Sequence, residues 1–125
     1  YIAKHEFKPL RRFLDLEDLI DGAQKVINGL AMETKSPRNL SGFRFFKVRI
    51  GKKNGARMIV FVVTANKKVV PVLIRQKKDK IFGMNMAMNN PKVVNQINKN
   101  LDRILEDMKN KAYQEFTKEP LKNYV

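Results

Sequence analysis

The run Phe43-Arg-Phe-Phe-Lys-Val-Arg-Ile50, followed by Gly51-Lys-Lys-Asn-Gly55 and Ala56-Arg-Met-Ile-Val-Phe-Val-Val-Thr64, decides how this chain folds. Its first segment alternates, with Phe46, Val48 and Ile50 on one side and Lys47 and Arg49 on the other, the period-two pattern of a half-buried strand. Gly51 to Gly55 supplies turn residues, including an Asn-Gly pair that tolerates positive φ. The next segment is almost entirely apolar and β-branched, as a central strand covered on both faces must be. Ala65-Asn66-Lys67 turns the chain again, into a third strand over Lys68 to Gln76. Pro71 in that strand cannot donate to a ladder, which assigns it to a sheet edge. The expectation is an antiparallel meander ending in an edge strand.

Strand pairing then aligns charge. If Ile50 pairs with Ala56, Arg49 stands opposite Arg57, with Lys47 two residues along; pairing Thr64 with Lys68 sets Arg57 across from Arg75. Like charges opposite one another destabilise a sheet by tenths of a kcal/mol, so such a row points to an anion that offsets the repulsion. A solvated face, or an acid from a terminal segment paired with Arg57, is the plainer alternative. The charge distribution favours the anion: residues 42–80 hold twelve Lys or Arg and one acid, Asp79, and so carry +11 of the net +14. Basic charge gathered on one sheet is the footprint of a polyanion site.

Outward from the sheet, 125 residues make one domain, 1–125, with a modest core. No cysteine is present, so neither a disulfide framework nor a cysteine-ligated metal is expected. No apolar run approaches the ~20 residues of a membrane span, and Tyr1 onward lacks the apolar core of a signal peptide. A reducing, cytoplasmic setting fits, with no membrane partner and no cofactor. Tyr1–Phe7 reads as a short strand completing the sheet, ended by Pro9; His5, the sole histidine, reads as a surface or packing residue. Asp15 suits an N-cap, and Leu16, Leu19, Ile20, Ala23, Val26, Ile27 and Leu30 recur at helical spacing as a core-facing stripe. Glu17, Asp18 and Asp21 fall on its solvated side. Lys35 to Gly42 is a polar connector. After the sheet, Lys77 to Asn90 is a Met- and Asn-rich loop in which Met84, Met86 and Met88 serve as apolar filler. Asn90 and Pro91 open a final helix whose stripe is Val94, Ile97, Leu101, Ile104, Leu105 and Met108. The fold class is α+β: a small antiparallel meander with an N-terminal helix or helices and a C-terminal helix packed on it.

There is no Gly-rich phosphate loop, nucleophile elbow or metal-ligand cluster in the sequence. Any catalysis is therefore built from Lys and Arg. Phosphodiester cleavage suits them, because guanidinium groups stabilise charge developing at phosphorus. A Lys crowded by cations has a lowered pKa and can act as base.

A helical N-terminal segment, Lys47-x-Arg49 on one strand, a basic turn, Gly55-Ala-Arg57-Met-Ile-Val at the start of the next, a hydrophobic edge strand and a Lys-rich exit together resemble the RelE/ParE superfamily of toxins from type II toxin–antitoxin systems. The resemblance spans roughly residues 10–110 and favours the RelE-like branch. It implies a small sheet with helices on one side, and a metal-independent endoribonuclease that enters the ribosome and cuts mRNA by activating the ribose 2′-hydroxyl. Carried over by position, Lys47, Arg49, Arg57 and Lys77 or Lys78 would be the catalytic basic residues. Arg44, Lys52, Lys53, Arg75, Lys80 and Phe82 would bind RNA. The implied partners are mRNA, the ribosome and an acidic antitoxin. Where RelE nucleases commonly place a Tyr or His, the aromatic at hand is Phe82, which can stack but cannot exchange a proton. The alternatives are therefore a ParE-like toxin acting on DNA gyrase without cutting RNA, and a basic RNA-binding module.

Overall fold

The computed structural model describes Lys8 and residues 14–36, 41–51, 55–65, 67–76 and 90–111. The expected strand over Tyr1–Phe7, His5, Pro9 and the Met-rich stretch from Lys77 to Asn89 fall outside these residues. Helix α1 (Leu16–Ile27) leads into strands β1 (Met32–Thr34), β2 (Phe43–Ile50), β3 (Ala56–Val63) and β4 (Lys68–Gln76), and helix α2 (Pro91–Lys109) follows. The four strands form one antiparallel sheet in the order β1-β2-β3-β4. This is the α+β meander expected, with β4 at its edge. No helix among the described residues is long and apolar enough to cross a membrane.

Helix α1 starts where Asp15 caps it. The Asp15 carboxylate accepts from the Asp18 N–H at 3.0 Å, and the Asp18 carboxylate accepts from the Asp15 N–H at 2.9 Å, a reciprocal capping box. It stops three residues before Leu30, sooner than the apolar spacing suggested. Gly29 takes φ 76°, the Gly29 N–H donates to the Val26 carbonyl at 3.1 Å, and the Leu30 N–H donates to the Lys25 carbonyl at 2.8 Å. This is a Schellman turn, in which glycine takes the left-handed position at least cost. The core-facing stripe is accordingly narrower than expected: Leu19 and Val26 are buried, whereas Leu16, Ile27 and Leu30 are exposed.

The two helices cover opposite faces of the sheet, which corrects the one-sided arrangement implied by the family resemblance. Strand alternation separates the two cores. On one face Leu14, Leu19 and Val26 pack with Val48, Ile50, Met58, Val60 and Ile74. Helix α1 lies close there because Gly22 has no side chain; a Cβ at that position would come within 2.5 Å of Ile50 Cγ2. On the other face Val93, Ile97, Leu101 and Ile104 of α2 pack with Phe45, Ile59, Phe61, Val72 and Leu73. Phe43 stacks on Phe61 there with ring centroids 4.7 Å apart. Asn90 caps α2, and its side chain accepts from the Lys92 N–H at 3.0 Å. Val93 is fully buried and Val94 only partly so, so the stripe begins at Val93 rather than Val94, while Ile97, Leu101 and Ile104 are buried as expected.

One register differs from expectation. Lys68 pairs with Val63, not Thr64, and an irregularity between Ile59 and Val60 leaves Val72 as an extra residue on β4. Pro71, lacking an N–H, sits beside this bulge, where its missing donor is tolerated. The bulge absorbs the one-residue offset, so Arg57 still pairs with Arg75. Asn100 of α2 pins the bulge: it is buried, and its Nδ2 donates to the Val72 carbonyl at 2.7 Å.

Candidate functional site

The register sets three arginines abreast. Arg49 of β2 faces Arg57 of β3, and Arg57 faces Arg75 of β4. By alternation Lys47 shares their side of the sheet, two residues from Arg49. This is the face that α2 covers, but α2 packs over the Phe45, Phe61 and Val72 region; the cations occupy the end toward the β2–β3 turn.

Arg57 is the unusual member. A charged side chain on a strand is expected to face solvent, yet Arg57 is only 8% exposed, because β3 lies inside the sheet and is buried along most of its length. Its Nε is buried and makes no hydrogen bond. Burial, and then the charge of Arg49, lower its pKa from the ordinary arginine value. Lys47 is half-buried, and its pKa is lowered too, first by burial and then by the charge of Arg57. Both shifts have the same physical cause: cations held close together and partly out of water. Arg75 Nη1 donates to the Ile74 carbonyl at 2.8 Å, which fixes its side chain along the edge strand.

Arg44 is not brought to this cluster. It lies on the opposite face, where its Nε donates to Glu33 Oε2 at 2.9 Å. Its guanidinium also lies 5.5 Å from the centre of the Phe46 ring. Lys52, Lys53, Lys77, Lys78, Lys80 and Phe82 lie outside the described residues.

Three residues join the cations unforeseen. Lys25, from the last turn of α1, donates through Nζ to the Arg49 carbonyl at 3.1 Å. Strand β1 places Met32 directly opposite Lys47, on the cationic face. Leu30, just beyond the Schellman turn, lines a pocket together with Lys47, Arg49 and Arg57. Gly29 was the available signal, since a glycine there ends the helix before Leu30 can join its core stripe. Compared with known proteins, the chain matches no protein-family model, no curated protein and no solved structure.

Proposed function

We propose that the protein is a metal-independent endoribonuclease of the RelE-like toxin kind, cutting mRNA on the ribosome with Arg49, Arg57 and Arg75 around the scissile phosphate. The observation that carries the reading is Arg57: a buried arginine with an unbonded Nε, flanked on both neighbouring strands by further arginines. A phosphodiester would bring negative charge and acceptor oxygens to this row through charge-assisted hydrogen bonds. Lys47, with its lowered pKa, is the group suited to take the proton from the ribose 2′-hydroxyl. The 2′-oxygen then bonds to phosphorus as the bond to the 5′-oxygen breaks, and the departing oxygen takes a proton from solvent. The products are a 2′,3′-cyclic phosphate and a 5′-hydroxyl end. Guanidinium groups would stabilise the charge gathering on the phosphoryl oxygens. Such an enzyme calls for an acidic antitoxin that covers the same face in the cytoplasm until release.

The test is cleavage of end-labelled mRNA with and without ribosomes, by wild type, Arg57→Met and Lys47→Ala. Each variant should slow cleavage by at least 100-fold, the order expected for loss of one charge-stabilising or proton-transferring group. Methionine fills the buried space that alanine would leave empty. Wild-type rates in both variants would remove this site from the reaction. DNA damage without RNA cleavage on induced expression would favour the gyrase-directed alternative, and salt-sensitive RNA binding with neither effect a binding module.

A further inference from the structure

Beside the arginine row lies a pocket of about 380 Å³, lined by the cations Lys25, Lys47, Arg49 and Arg57 and by the apolar Leu30 and Met32. Its apolar part is unusual. Leu30 is 73% exposed and Met32 67%. The residue after a Schellman glycine ordinarily packs back against the helix, but Leu30 instead lies open next to the cations.

We propose that this pocket is a single-nucleotide subsite, in which Arg57 and Arg49 hold a phosphate while Leu30 and Met32 take the face of the adjoining base. The proposal rests on reading the row as an RNA site and adds which part of the substrate the pocket receives. Arg57, only 8% exposed, lines the pocket beside Arg49 and Lys47, so its charge is held in the pocket wall. The volume lies at the lower end of the range for small-ligand pockets, which suits one nucleotide better than a segment of folded protein. The net charge of +14 opposes docking of a second copy of this chain. A base inside a duplex is stacked and paired, so only an unpaired nucleotide can enter. Contact through aliphatic side chains reads no hydrogen-bond pattern, so the subsite should accept purines and pyrimidines alike.

Adenosine 5′-monophosphate, uridine 5′-monophosphate, ribose 5-phosphate and inorganic phosphate, titrated by NMR into wild type, Arg57→Met and a Leu30→Ser/Met32→Ser double variant, provide the test. Both nucleotides should bind wild type about fivefold more tightly than ribose 5-phosphate, as burial of part of a base predicts. The double variant should lose that preference and keep its affinity for ribose 5-phosphate. Arg57→Met should weaken all four. Equal affinity for nucleotide and ribose phosphate, a preference surviving in the double variant, or no binding of any phosphate compound would each overturn the proposal. So would a short Glu- and Leu-rich peptide that binds more tightly than any nucleotide and loses affinity in the double variant; the pocket would then belong to a protein partner. Both substituted residues are exposed, and an unchanged thermal transition shows the double variant folded. Nucleotide preference without RNA cleavage would defeat the nuclease reading alone, and cleavage without the preference the subsite alone.

Discussion

In the proposed reaction two side chains carry most of the chemistry, and each makes its own prediction. Arg57 is buried with its Nε unsatisfied, a condition that costs roughly 1–3 kcal/mol when a polar group is left unpaired. Arg57→Met keeps the volume and removes the charge, so it should leave the protein as stable or raise its stability by about 1 kcal/mol in urea unfolding, while cleavage is lost. A clear fall in stability would mean that Arg57 serves the fold. For Lys47 the question is proton transfer. Its pKa lies below the ordinary lysine value of 10.5 because the charged form is partly buried and repelled by Arg57. Only the neutral amine can act as base, so the cleavage rate should rise tenfold per pH unit up to that lowered pKa and level off above it. Lys47→Arg, which stays protonated throughout, should be slow at every pH. A rate independent of pH in wild type would exclude Lys47 as base.

At the scale of elements, the residues that built the basic row were legible because the β2–β3 turn and two alternating strands leave little freedom in register. Two features were hidden. Strand β1 has three residues, too few for a period to show, and its membership depends on pairing with β2. The bulge at Val72 depends on Asn100, 28 residues away, whose side chain reads in the sequence as one more polar position on a helix. Arg57's burial was missed for a related reason: charge suggested exposure, but a central strand between two helices buries whatever it carries. Asn100→Ala should therefore destabilise the protein by roughly 1–3 kcal/mol, the cost of leaving the Val72 carbonyl unbonded, and lower the melting temperature by several degrees. If the bulge holds Arg75 in line with Arg57, the same variant should also weaken RNA binding. Unchanged stability would show that the bulge is held by other contacts.

For the whole molecule, the issue is whether binding follows net charge or the local row. With a charge of +14, the protein should attract any nucleic acid at low salt, and affinity alone cannot separate a site from general attraction. Salt dependence can. Each phosphate neutralised on a single strand contributes about −0.7 to the slope of log affinity against log salt. Replacing Arg49, Arg57 and Arg75 with Gln, Met and Gln removes three charges from one face, whereas replacing Lys92, Lys99 and Arg103 with Gln removes three from helix α2; both variants keep the same net charge. A site centred on the row predicts that the first variant flattens the slope by about 2 and the second barely changes it. General attraction predicts equal, smaller losses in both. Measuring single-stranded RNA binding by fluorescence anisotropy across a salt series decides between them, and equal slopes in the two variants would remove the row's claim to be a binding site.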